Sequence, residues 1–142
     1  MSDYVIGIIF DSQLEKVALI TDDESSEHKG KFGFVGGEIL FNEDWYTSIA
    51  RHVMGDLGIW IDQDIWVPAG GVVNKGSSVI VLAAASDQIN KAEHLPEDRE
   101  LMIAPLDDLP DNIIRNVPEL IGQALSAIQY AQEQGNIRGE VL

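Results

Sequence analysis

The chain contains no cysteine. Disulfides and thiolate metal centres are therefore ruled out, while the cellular compartment stays open. Positive charge is scarce as well: 9 Lys and Arg stand against 24 Asp and Glu, a formal charge of −15. A polyanion is bound by neutralising its phosphates with Lys and Arg, so long nucleic acid is disfavoured as a partner. A small phosphorylated ligand is still accommodated, because divalent cations can bring the charge that the side chains lack. Long apolar runs are missing too. Runs such as Val79 to Ala85 are strand-sized and fall short of the roughly 20 residues that cross a bilayer, so no membrane segment is expected. Met1-Ser2-Asp3-Tyr4 shows no basic region followed by an apolar stretch, so secretion is not indicated and the cytoplasm is the default location.

What is present suits one globular unit. With 142 residues, 45% hydrophobic and 23% charged, the chain can bury a core without staples, and residues 1–142 read as a single domain with a loose tail over 135–142. Tyr4 to Phe10 and Lys16 to Thr21 are β-rich runs joined by a hairpin turn at Asp11-Ser12-Gln13. A polar loop, Asp22 to Lys31, leads to a short strand at Phe32 to Val35, which Gly36-Gly37 should break. From Asn42, an N-cap candidate with Glu43 and Asp44 behind it, Trp45, Ile49 and Val53 recur every four residues and predict a helix ending at Gly58. Ile59 to Val73 and Ser77 to Ala85 read as two antiparallel strands around Asn74-Lys75-Gly76. A helical turn at Ser86 to Lys91, a loop at Ala92 to Arg99 and a strand at Glu100 to Pro105 follow. A last helix opens at Val117-Pro118 and runs to Gly135, with Leu120, Ile121, Leu125, Ile128 and Tyr130 to Ala131 on its apolar face.

The stretch that carries chemistry runs from Gly37 to Ile59. Gly37 is separated by five residues from Glu43, which is separated by seven from Arg51, and His52-Val53-Met54-Gly55-Asp56-Leu57-Gly58-Ile59 follows directly. This resembles the Nudix box, Gly-x5-Glu-x7-Arg-Glu-U-x-Glu-Glu-x-Gly-U with U a bulky aliphatic residue. Gly37, Glu43, Arg51, Val53, Gly58 and Ile59 match; His52 and Gly55 stand for two glutamates and Asp56 for the third. Phe34-Val35-Gly36-Gly37 is similar to the family's aromatic-x-Pro-Gly-Gly entry, with Val35 in place of proline. Glu100 heads a strand where the family often carries another acidic residue.

The resemblance implies an α/β fold, a Nudix-like α/β/α sandwich with a mixed sheet, and cleavage of a nucleoside diphosphate linked to a further group. On a helix, positions 52, 55 and 56 share a face, so three carboxylates there would converge on Mg²⁺. The metal would neutralise a diphosphate and activate water. Here that face holds His52, Gly55 and Asp56, and Mg²⁺ prefers oxygen to imidazole, so the helix alone cannot assemble the usual cluster.

Two readings follow. In the first, a divergent pyrophosphohydrolase works with Mg or Mn, Asp56 and Glu100 serving as metal ligands or base with His52 assisting, and with weak turnover; Glu97 and Asp98 are weaker substitutes for Glu100. In the second, the module is noncatalytic and binds a nucleotide or a protein partner. In either, Gly37, Glu43, Arg51 and Gly58 keep the frame, and a homodimer is compatible with the family. Left to themselves, Glu43 is a helix N-terminal acid, Arg51 a surface cation, and His52 with Asp56 a surface helix pair. Among the aromatics, Phe34 is the preferred base-stacking wall over Trp45, Trp60 and Trp66, most of which should be core. His28 and His94 fall in loops as solvated bystanders.

Overall fold

In a computed structural model of the chain, residues 3–21, 29–74, 76–93 and 99–134 are described. The expectations for His28, His94, Glu97, Asp98 and the tail 135–142 lie outside them. Seven strands, β1 (Asp3–Phe10), β2 (Lys16–Thr21), β3 (Phe32–Gly33), β4 (Val35–Glu38), β5 (Val67–Asn74), β6 (Ser77–Ala85) and β7 (Leu101–Pro105), alternate with two helices, α1 (Trp45–Leu57) and α2 (Val117–Gln134). Short 3₁₀ turns sit at Gln63–Ile65 and Asp87–Lys91.

β1 is the strand that the others use. It runs parallel to β6 from Asp3 beside Ser78 to Phe10 beside Ala85, and antiparallel to β2 and β4. The sheet is mixed, ordered β3-β2-β1-β6-β5, with β4 on β1 and β7 on β2. Such a strand, covered on both faces, must be apolar throughout rather than alternating. Ile8 and Phe10 point into a core shared with Val117, Leu120, Ile121, Ala124 and Ile128 of α2. Val5 and Ile9 point the other way, against Ile49, Val53 and Leu57 of α1. The result is the expected α/β/α sandwich.

Several local expectations are corrected. Phe32 to Val35 is not one strand: the chain leaves β2 at Gly33 and joins β1 at Val35, with Phe34 at the change of partner. Gly36 and Gly37 do not break β4 but lie inside it. A Cβ on Gly36 would strike the carbonyl oxygen of Val5, so glycine is what lets the two backbones meet. Ile59 to Trp66 is not strand either, for Ile59, Ile61 and Trp66 are buried from an irregular segment and β5 starts at Val67. Within the face predicted for α1, Trp45 is 42% exposed whereas Ile49 and Val53 are buried, and in α2 Tyr130 is exposed. The β1–β2 and β5–β6 antiparallel pairs, the turn after Ser86 and the strand ending at Pro105 stand as expected. No helix among the described residues is long and apolar enough to cross a membrane.

The seat of α1 depends on Gly7, where a Cβ would lie 2.8 Å from Ile49 Cδ1 and 2.9 Å from Trp66 Cη2. Both neighbours are buried and have little room to yield. Gly7→Ala is expected to destabilise the fold by about 1–3 kcal/mol through overpacking. Urea unfolding checks this: the midpoint should fall with an unchanged slope, and an unaltered midpoint would show that the helix is not seated on this glycine.

Candidate functional site

The frame begins where α1 does. Its N-cap is Asp44, whose carboxylate accepts the Thr47 N–H at 2.7 Å. Asn42, the expected cap, instead occupies a left-handed turn position with φ 65°, which Asn tolerates better than most residues. The turn delivers Glu43 beneath the helix. Arg51 donates from Nε and one Nη to the two carboxylate oxygens of Glu43, at 2.8 and 2.9 Å, and from the same Nη to the Glu38 carbonyl at 3.0 Å. Glu43 also accepts the Leu40 N–H at 3.0 Å. The pair predicted from box spacing is thus brought together, in a bidentate geometry that fixes α1 to β4. Charge-assisted bonding from Arg51 lowers the Glu43 carboxyl from 4.5 to about 2, helped by the Leu40 amide and opposed by burial. At the far end Gly58 closes the helix in a left-handed conformation, φ 67°, and donates to Met54 at 3.1 Å.

Gly37 leaves room beside β4 for a side chain of α1. A Cβ there would collide with the His52 ring, whose Nε2 lies 3.0 Å from the Glu38 carbonyl. A carbonyl can only accept, so Nε2 carries the proton and is closed to a metal. Gly55 faces open space, since an added Cβ would meet nothing within 4 Å. Asp56 is paired with Arg99: Nη1 stands 3.2 Å from Oδ2, and the two side chains are 15% and 20% exposed. Arg99 is held in turn by its Nε, which donates to the Thr21 carbonyl at 2.6 Å. Burial pushes the Asp56 carboxyl above its ordinary range, against the pull of Arg99 and His52. Glu100 is exposed, and its backbone pairs with Thr21, donating N–H to Oγ1 at 2.8 Å and accepting the Thr21 N–H at 2.9 Å.

These residues do not fit the metal that the motif implies. Asp56 is the sole box carboxylate on the expected face, and a guanidinium already compensates it. No group of three or more His, Asp or Glu suited to a metal occurs among the described residues.

A cavity of about 530 Å³ opens between the β3–β4 change of partner and the start of α2, lined by Phe34, Gly36, Gly37, Ile114, Asn116 and Arg99 among others. Phe34, the aromatic preferred from the sequence, is among the residues that line it. Trp66 is core, and Trp45 and Trp60 are exposed away from the cavity. The residue that sequence reasoning missed is Arg99. Its partner lies 43 positions away, beyond any local spacing rule. The scarcity of cations was the available signal.

Two expectations follow from this geometry. The Glu43 carboxyl is depressed by folding, so its stabilisation is complete above about 4.5, its unfolded value, and lost as pH falls toward about 2. Glu43→Gln should remove that dependence from acid unfolding curves and cost about 1 kcal/mol at neutral pH; an unchanged acid limb would exclude the clamp as its source. Gly55→Ala, with room for the methyl, should raise stability by about 1 kcal/mol, or about 3 °C in Tm, measured by calorimetry.

With the geometry established, comparison with known proteins places the fold. No protein-family model matches the chain, and no curated protein matches it by sequence. Solved structures do. A MutT Nudix hydrolase from Burkholderia pseudomallei superposes with a TM-score of 0.71 at 19% identity, over 86% of this chain and 96% of that one. The Nudix domain of Shewanella oneidensis NrtR, in complex with ADP ribose, superposes with a TM-score of 0.71 at 19% identity, over 87% of this chain and 86% of that one. Superposition over most of the length of both chains shows that the chain has the Nudix fold.

Proposed function

We propose that the chain is a Nudix-fold module that binds a small nucleotide, a nucleoside diphosphate carrying a further group, and does not hydrolyse it through the box helix. The single observation that carries this reading is the Asp56–Arg99 pair at 3.2 Å, which occupies the remaining box carboxylate with an internal cation. Metal-assisted hydrolysis needs carboxylates free to collect divalent ions and a base aimed at water. His52 is turned to a backbone carbonyl and Gly55 brings no ligand.

Binding has better support. The cavity volume of about 530 Å³ lies within the range of about 300–1,000 Å³ usual for small-molecule sites. Phe34 offers an aromatic wall, and the chain at Gly36 and Gly37 lines the same cavity. The NrtR Nudix domain of similar fold was solved with ADP ribose, which makes that compound the first ligand to try.

The competing reading, weak hydrolysis with Mg or Mn on Asp56 and Glu100, places a metal on a carboxylate whose Oδ2 is already held by Arg99. A panel of nucleoside triphosphates, ADP ribose, NAD and dinucleoside polyphosphates, each with Mg²⁺ and Mn²⁺, separates the two. Turnover is expected at background in the wild type and unchanged in Asp56→Ala and Glu100→Ala, while ADP ribose at a hundred times its Kd should stabilise the fold by about 2.7 kcal/mol. Turnover that disappears in Asp56→Ala would establish the hydrolase instead.

A further inference from the structure

The mismatch between the box helix and a metal leaves open where the positive charge for a phosphate comes from. A chain with a formal charge of −15 repels an anionic ligand unless a cation stands in the site. Among the described residues lining the cavity, Arg99 is the one that bears a full charge. It is also the residue that touches the face of α1 where the metal is expected, through Asp56.

We propose that Arg99 takes the place of the divalent metal as a built-in cation, holding a phosphate of the ligand so that binding needs no divalent ion. The inference rests on the nucleotide reading above and adds how the phosphate is held. The guanidinium has five N–H donors in a fixed plane. Nε is used on the Thr21 carbonyl at 2.6 Å and Nη1 on Asp56 at 3.2 Å, and no other bond engages the group among the described residues. The bond from Nε anchors the group against β2, while the remaining donors can serve an anion in the cavity that Arg99 helps to line. Such planar donors match phosphate oxygens two at a time, whereas an ammonium acts as a point charge. Asp56 compensates the guanidinium while no ligand is bound and competes with an anion for it. In this site the carboxylate that a metal would need is therefore an antagonist of phosphate binding, not its support.

That inversion gives the test a sign. The chain of residues 1–142 is titrated calorimetrically with ADP ribose and with inorganic pyrophosphate in EDTA, and with ADP ribose again in Mg²⁺. Both compounds are expected to bind in EDTA, and Mg²⁺ should change the ADP ribose affinity by less than about threefold. Arg99→Gln should weaken both by about tenfold to a hundredfold, the worth of a charged hydrogen bond. Asp56→Asn, which keeps the shape and frees the guanidinium, should tighten both severalfold. Should Arg99→Gln fail to fold, as judged by circular dichroism, Arg99→Lys replaces it and should retain part of the affinity, and Asp56→Asn gives the deciding sign. Binding of ADP ribose only with Mg²⁺, or weakened by Asp56→Asn, overturns the inference and leaves the nucleotide reading in place. Binding of pyrophosphate but not ADP ribose, with the same response to the variants, upholds Arg99 as the anion site and overturns the nucleotide reading. Binding of neither compound overturns both.

Discussion

The carbonyl oxygen of Glu38 is the point at which sheet and helix are fastened, and the rest of the site depends on it. It accepts a bond from Arg51 and meets the His52 ring, both at 3.0 Å. For that to happen β4 must lie close enough to β1 for Gly36 to rest on the Val5 backbone, and Gly37 must leave its side free for the imidazole. Arg51 can then reach Glu43 as well, and the turn ahead of α1 is tied to the strand behind it. A chain of small requirements, each met by a residue of the right size, fixes the helix without any ligand.

This separates two functions that the motif normally combines. Gly37, Glu43, Arg51 and Gly58 act on backbone geometry, through close approach, a clamp and a left-handed cap, and nothing in those roles needs a metal. Positions 52, 55 and 56, where the motif carries glutamates, hold His52, Gly55 and Asp56 in this chain. A frame held by its own hydrogen bonds keeps its shape without a metal cluster at those positions.

How far the sequence alone was informative follows from the range of the interactions. Strands β1, β2 and β6, buried on both faces, announce themselves as continuous apolar runs, and Gly58 ends α1 where only glycine fits comfortably. Errors arose where a residue type has two uses. Asn42 and Asp44 can both cap a helix, and only the turn geometry decides between them. Gly36-Gly37 can end a strand or admit a neighbouring backbone. A period of four names the face of α1 but not how much of it the sheet covers, hence the exposed Trp45. Within the site, Glu43 with Arg51 was legible because they share one turn-and-helix unit. The link from Arg99 to Asp56 was not, because it joins a loop to a helix on which no pattern in either segment bears.

The parallel pairing of β1 with β6 carries one more consequence. Asp3 lies beside Ser78, so the whole of β2, β3, β4, α1 and β5 is enclosed in the loop that this pairing closes. Closing so long a loop costs entropy before any contact repays it, which makes the step slow among folding events. During synthesis the helix and its clamp emerge from the ribosome well before the strand that completes the floor beneath them. Until β6 arrives, the helix can rest on β1 and β4, but the edge of β1 that β6 will cover is left with its backbone groups unpaired.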